Sequence, residues 1–287
     1  MRYALVARRA TPTNEILGST PVGEARWEVL TPEEALRGLR AGDVALGRLD
    51  VRSTLDGIDD GLWALGALAA RGVEVLNDPA ALLATHDKLL TSRLLRRHGI
   101  SHPATSHVRA ERPLSGLGPP AVVKPRFGSG GKDVYRCEDA HTLRATLEAV
   151  RELPWYREHG ALVQELVPPQ GYDLRILVAG ERVAGAVFRV AAPGEWRTNI
   201  ALGGRRRPVG DPPTEACELA LSAAQASRAA LVGVDLVHAP DGSWTVIELN
   251  GAVEFTREYA LEADVFATVA TELVRAATAC AVDTVSA

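Results

Sequence analysis

Val122-Val123-Lys124-Pro125-Arg126-Phe127-Gly128-Ser129-Gly130-Gly131-Lys132-Asp133-Val134 is the stretch from which the rest of the chain is best read. An apolar run of strand type, Ala121 to Lys124, delivers a lysine. A Gly/Ser loop then leads into a second short strand, Val134 to Arg136. Glycines let successive backbone N–H groups turn inward and form an anion-binding nest. They also let a loop open and close over a bound group. Gly128, Ser129, Gly130 and Gly131, with Lys124, are therefore expected to hold phosphate. The stretch is not a P-loop, because no Gly-Lys-Ser/Thr opens a helix after the strand. The plain alternative for these residues is a flexible hairpin loop.

Working outward, Tyr3 to Ala7, Trp27 to Leu30, Asp43 to Arg48 and Val73 to Leu76 read as short strands. Thr31 followed by Pro32, Glu33 and Glu34 is an N-cap with proline at the first helical position and acids in the first turn. That helix is expected to end near Arg40, and an apolar helix runs from Gly61 to Arg71. The alternation predicts a small open α/β lobe over residues 1–80. No glycine-rich turn follows its first strand, which argues against a dinucleotide-binding Rossmann unit. Asn77-Asp78-Pro79 punctuates the chain. A central lobe over residues 81–166 adds helices over Asp87 to Arg97 and Asp139 to Arg151, and a strand over Ala161 to Leu166. Pro168-Pro169-Gln170-Gly171 opens a third lobe over residues 167–287. It is expected to contain the hairpin Asp173 to Val178 and Val183 to Arg189, then a polar stretch from Pro193 to Pro208. An alanine-rich helix over Thr214 to Leu231, strands over Gly233 to Val237 and Thr245 to Leu249, and a last helix from about Leu261 complete it. The fold class is α/β, built from α+β lobes.

Composition sets limits. The chain has 287 residues, 46% hydrophobic and 24% charged, with net charge −4. That suits two or three lobes and carries no basic excess for a nucleic acid. No apolar run approaches the ~18–20 residues of a membrane span. The apolar stretch Tyr3 to Ala7 precedes its arginines, the wrong order for a signal peptide. Cys137, Cys217 and Cys280 suggest neither a disulfide framework nor a metal site, so the cytoplasm is the expected compartment. Only three of the 32 basic residues are lysines, Lys88, Lys124 and Lys132, and all fall in or near the motifs described here.

Three further constellations carry chemistry. Gln164, Glu165, Leu166 and Val167 end an apolar strand in a polar turn, a hinge whose backbone could read an adenine edge. Asp173 follows as a possible partner for ribose hydroxyls, with Arg175 on the same strand face. Asp235 lies at the centre of one strand. Glu248 and Asn250, two apart, share a face of the next, so all three could offer hard oxygen ligands to Mg2+. Their alternative is a solvent-facing strand edge. Arg189, Arg197 and Asn199 could meet a γ-phosphate, guanidinium being the natural clamp for such oxygens. Arg205 to Arg207 read as a solvated patch that could otherwise attract an acidic substrate. His86, His98, His102 and His107 show no metal spacing and read as surface or loop residues. Trp63, Trp155 and Trp244 read as packing residues, and Ser129 lacks the partners of a nucleophilic triad.

Taken in order, these motifs resemble the ATP-grasp superfamily, and within it the RimK/LysX branch of amino-acid ligases. Asp87-Lys88 and Gly99-Ile100-Ser101-His102-Pro103-Ala104-Thr105, the latter similar to that branch's G-I-P-x-P-x-T, join the lysine, loop, hinge and acid–amide motifs already described. The resemblance covers nearly the whole chain. It implies a pre-ATP-grasp lobe, a central lobe and a C-terminal lobe clasping ATP with Mg2+, for which Mn2+ could substitute. Lys88 joins the phosphate ligands on this basis. The implied activity is an ATP-dependent carboxylate–amine ligase working through an acyl phosphate, with Arg189, Arg197, Asn199 and Arg175 as the catalytic side chains. Glu254-Phe255 after Asn250 resembles the LysX pattern N-x-x-x-E-F. It points to an amino acid joined to a glutamyl carboxylate of a small peptide or acidic carrier protein, with Glu254 and Arg205 on the substrate side. A homo-oligomer, dimer or tetramer, is implied as well. The alternative is a nucleotide-binding regulatory or scaffold module without ligase activity.

Overall fold

The computed structural model describes residues 1–24, 26–51, 53–54, 57–58 and 60–285. The first sheet is parallel, in the order β2-β1-β3-β6. Its strands are β1 (Tyr3–Val6), β2 (Trp27–Leu30), β3 (Val44–Gly47) and β6 (Glu74–Leu76). Helices α1 (Pro12–Ser19), α2 (Pro32–Gly38) and α3 (Asp60–Ala70) connect them, with a two-residue ladder β4 (Ser53–Thr54) and β5 (Gly57–Ile58) before α3. Side chains alternate across the sheet, as strand geometry requires. Leu5, Val44 and Leu46 enter one core, while Ala4, Val6 and Ala45 enter another with Leu39, Leu65 and Leu68 of the helical layer. Thr31 caps α2 in a capping box with Glu34. Helix α1 was not anticipated, although Thr11-Pro12 is the same N-cap and proline signal; Thr11 caps it through the Asn14 amide. Trp63, expected to pack, is 70% exposed on α3, because its neighbours Leu62 and Leu65 take the buried face.

Next come α4 (Pro79–His86) and α5 (Lys88–Arg97). The second sheet is antiparallel, in the order β7-β10-β8-β9, from β7 (Thr105–Val108), β8 (Ala121–Pro125), β9 (Tyr135–Cys137) and β10 (Ala161–Glu165). Helices α6 (Ala140–Val150) and α7 (Pro154–His159) precede β10.

The third sheet runs β13-β12-β11-β14-β15. It is made of β11 (Tyr172–Ala179), β12 (Arg182–Val190), β13 (Arg205–Pro208), β14 (Leu231–His238) and β15 (Trp244–Asn250), with helices α8 (Thr214–Ser227) and α9 (Val265–Val285). Helix α8 stops short of the expected Leu231 because Arg228 adopts a left-handed conformation, φ 56°. The stretch read as a polar patch forms the edge strand β13, where Arg207 lies over the Phe188 ring at 4.8 Å.

Two placements depart from the expected division of the chain. Helix α5 packs on α8 and β15, and Leu95 and Ile100 share a core with Ile176, Val234 and Leu249. Helix α9 buries Val265, Phe266, Val269 and Leu273 in one core with Leu5, Val44 and Leu46 of the first sheet. An apolar helix face goes to the largest apolar surface within reach, which need not be its neighbour in sequence.

Candidate active site

A single cleft brings together β8 and the glycine-rich loop, the turn after β10, the stretch after β12, and the ends of β14 and β15. Lys124 lies buried on β8, and its Nζ donates to Gln164 Oε1 at 2.7 Å. Burial pushes the ammonium pKa down to about 8; the Glu248 carboxylate opposes that fall and the Lys88 charge adds to it.

Lys88 is the first residue of α5. Asp87 caps the helix by accepting from the Leu89 and Leu90 amides. Arg126, from the loop, grips the same carboxylate with a 2.7 Å bond from Nε to Oδ1 and a second from Nη2 to Oδ2. The helix start and the loop are thus pinned together. Lys88 Nζ donates to the Gly128 carbonyl at 2.6 Å and pairs with Glu248 Oε1 at 3.0 Å.

Gly130 and Gly131 both sit at positive φ, 71° and 73°. At Gly131 a Cβ would lie 2.4 Å from Asn199 Oδ1, so only glycine lets the loop rest there. Arg197 Nη1 donates to the Gly131 carbonyl at 2.9 Å. Glu195 holds the other side of that guanidinium at 2.7 and 3.0 Å, and these bonds lower its own pKa to about 2. In the hinge, the Glu165 and Leu166 amides bond the Ala104 and Pro120 carbonyls. Val167 follows them in the cleft lining.

Beneath the cleft lies a carboxylate–arginine cluster. Asp173 faces Arg189 across the β11–β12 ladder, and Arg175 faces Asp235 across β11–β14. Arg189 bonds Asp173 at 2.8 Å from Nε and bonds Asp235 at 2.8 Å from Nη2. Arg175 holds both oxygens of Asp235, at 2.5 and 2.7 Å, and Thr198 donates to Asp173 at 2.6 Å. Burial alone would raise the Asp235 pKa; Arg175 and Arg189 outweigh it and hold the carboxyl below its usual range. Arg175 thereby serves Asp235 and lies outside the cleft lining, whereas Arg189 reaches the cleft.

Asp235 and Glu248 are direct cross-strand partners, and Asn250 lies opposite Gly233 on the same ladder. All three side chains therefore fall on one face. Asp235 Oδ1 accepts one hydrogen bond, leaving a lone pair, and the buried Asn250 Nδ2 has no hydrogen-bond partner. No group of three or more His, Cys, Asp or Glu side chains suited to a metal occurs among the described residues. Asp235 and Glu248 line the cleft and offer the hard carboxylate oxygens that suit Mg2+, while Asn250, on the same face, lies outside the lining.

The two residues expected on the substrate side lie elsewhere. Glu254 accepts from Thr11 Oγ1 at 3.0 Å and pairs with Arg48 at 3.2 Å. Arg48 is buried and also bonds Asn14 Oδ1 and the Val253 carbonyl. Glu254 therefore stands at the seam between the first and third sheets. Arg205 is exposed on β13, away from the cleft lining.

Arg126 and Glu195 take part in the site, though the sequence assigns neither a role. Arg126 lies inside the glycine-loop motif, and Glu195 stands two residues before Arg197, so both were within reach of a spacing argument. His102 was read as a surface or loop residue. It does lie in the segment before β7, but its ring turns inward, with Nδ1 2.7 Å from the Val246 carbonyl and Nε2 3.2 Å from Gln164 Nε2.

A family model described as a RimK-like ATP-grasp domain matches residues 85–276. The chain is 33% identical over 219 residues to the tetrahydromethanopterin:alpha-L-glutamate ligase of Methanosarcina acetivorans, covering 69% of this chain and 66% of that protein. It is 32% identical over 186 residues to the alpha-aminoadipate–LysW ligase LysX of Sulfurisphaera tokodaii, covering 63% of this chain and 65% of that one. The chain thus spans just under two thirds of the length of these relatives. The crystal structure of a RimK domain ATP-grasp protein from Sphaerobacter thermophilus shares the fold, with a TM-score of 0.68 at 22% identity over 94% of this chain and 98% of that one.

Proposed function

The chain belongs to the RimK-like ATP-grasp family, and from that premise we propose that it is an ATP-dependent ligase joining a carboxylate to an amine through an acyl phosphate. The observation that carries this reading is the convergence on one cleft of Lys88, Lys124, the glycine loop, Asp235 and Glu248. These are the parts that phosphoryl transfer needs, positioning and charge neutralisation.

The phosphates of ATP lie against Lys88, Lys124 and the loop amides, with adenine at the turn from Gln164 to Val167 and ribose toward Asp173. Asp235 and Glu248, with Asn250 on the same face, would hold Mg2+, which would supply charge to neutralise the phosphates. The substrate carboxylate attacks the γ-phosphorus; the bond to the bridging oxygen breaks, leaving ADP and the acyl phosphate. Arg189, Arg197 and Asn199 steady the charge on the transferred group. The amine then adds to the acyl carbon, inorganic phosphate departs with the bonding pair, and the nitrogen loses a proton to give an amide. The loop resting on Asn199 and Arg197 keeps water from the acyl phosphate.

The amine is read as the α-amino group of an amino acid, and the acid as a glutamyl carboxylate on a small peptide or carrier protein. The names of the two relatives support this: one is a glutamate ligase and the other joins α-aminoadipate to LysW. Glu254, held at the seam by Thr11 and Arg48, lies outside the cleft lining and has no part in meeting the amine.

The test measures ADP and phosphate release with amino acids as amines and a peptide ending in glutamate as acid, followed by mass spectrometry of products. Turnover is expected only when acid and amine are both present. Release that ignores both substrates would remove the ligase reading. Glu248→Gln is expected to abolish turnover with every substrate pair; retained turnover would sink the metal assignment.

A further inference from the structure

The contacts around Gln164 form a chain whose direction can be worked out atom by atom. The Val246 carbonyl can only accept, so His102 Nδ1, 2.7 Å away, must carry the proton. In a neutral ring Nε2 is then an acceptor, and the partner 3.2 Å from it must donate. That partner is the amide nitrogen of Gln164. The same nitrogen donates to Thr105 Oγ1 at 2.9 Å, whose own proton goes to the Pro103 carbonyl at 2.9 Å. With its nitrogen committed twice, Gln164 has to present Oε1 toward Lys124 Nζ, 2.7 Å away. Reversing the amide would put an NH2 against an ammonium.

We propose that His102 is a positioning residue: its neutral Nε2 fixes the Gln164 amide and thereby aims the Lys124 ammonium into the cleft. The proposal rests on the reading of Lys124 as a phosphate ligand. Burial supports the neutral ring by lowering the His102 pKa to about 4, the Val246 bond opposing and Lys124 adding to that fall. The backbone reinforces the link, since the Val246 amide donates to the Ser101 carbonyl at 3.0 Å and Ser101 Oγ donates to Thr245 Oγ1 at 3.0 Å. The loop before β7 is thus stitched to β15 two residues ahead of Glu248. Lys124 on the second sheet is set by an atom of the third.

Two substitutions separate the roles of the two ring nitrogens. A glutamine amide reaches where Nε2 stands and restores the acceptor facing Gln164. An asparagine amide reaches only as far as Nδ1 and restores the bond to Val246. Mg-ATP binding by calorimetry and KM for ATP should be measured for the wild type and for His102→Gln, His102→Asn and His102→Phe. His102→Gln is expected to stay within about threefold of the wild type, while His102→Asn and His102→Phe weaken by about tenfold, the size of one hydrogen-bond loss. KM for acid and amine should not move. A role confined to anchoring the loop predicts the reverse order, asparagine near the wild type and glutamine near phenylalanine, and that order or equal affinities would overturn the proposal. A wild-type protein that binds no Mg-ATP would instead remove the nucleotide reading on which it rests.

Discussion

Lys124 is chemically unusual because it is a buried ammonium whose nearest hydrogen-bond partner is a neutral amide. Its pKa near 8 places loss of charge within reach of ordinary buffers. The protonated form is the one that attracts phosphate, so ATP affinity is expected to fall as pH rises through about 8. Bound phosphate raises the pKa of the ammonium in the complex, so the fall starts at the free-protein value and levels off only above the raised one. Measured as ATP dissociation constants across the alkaline range, the fall should vanish in Lys124→Arg, whose guanidinium stays charged. At Gly131 the demand is steric instead. Gly131→Ala adds a Cβ 2.4 Å from Asn199 Oδ1 at a residue with φ 73°. The strain of about 1–3 kcal/mol should lower kcat/KM for ATP by about tenfold or more. The melting temperature should barely change, because the loop around Gly131 lies outside the apolar cores. A normal kcat/KM in this variant would show that the docked loop is not the working conformation.

Strands β11, β12 and β14 are bound by more than their ladders. Asp173, Arg175, Arg189 and Asp235 come from these three neighbours, and every one of their charges has an opposite partner within 3 Å. Arg189 is the only member that touches both carboxylates, so it ties β12 to β14 across β11. Buried charges left without a partner cost far more than the pair contributes when complete. Arg189→Leu is therefore expected to destabilise the fold by about 3–5 kcal/mol, read from denaturant midpoints, besides abolishing activity. An unchanged midpoint would mean that the cluster relaxes around the gap or admits water. Edge strand β13 shows the opposite economy of design, carrying Arg205 and Arg207 at an exposed edge where charge discourages pairing with another chain.

Across the whole molecule, the first and third sheets are locked together by polar side chains at the C-terminal ends of parallel strands. Asn77, just after β6, uses its full hydrogen-bonding capacity. Its Nδ2 donates to the Leu231 and Gly251 carbonyls, and its Oδ1 accepts from the Ala230 and Leu231 amides. It does so at φ 50°, a conformation asparagine tolerates better than most residues. Arg48 makes the parallel link from β3 to Val253 and Glu254. Asn77→Ala would strand two amides and two carbonyls inside that seam. It should cost about 2–4 kcal/mol of stability, measured by chemical denaturation with the ligand-free protein. A loss within half a kcal/mol would show that solvent takes over those groups and that the seam is open.

The sequence by itself determined whatever depends on spacing within one element. The strand over Tyr3 to Ala7, the cap at Thr31, the helix starts at Asp87 and Asp139, and the shared face of Glu248 and Asn250 all follow from backbone geometry over a few residues. The caps at Thr11, Asp78, Asp87 and Asp139 carry the same local signal, the first two each followed by proline. Only the tertiary structure decided partners. That Asn77-Asp78-Pro79 is a lock as well as a chain break depends on residues some 154 positions away. That Arg175 serves Asp235, and that His102 faces Gln164, depends on which strands become neighbours and in what register. The physical reason is that local conformation is set by torsion angles and nearby hydrogen bonds. The choice among distant charged and polar partners is set by burial, which leaves each such group needing whichever partner the packed core brings within reach.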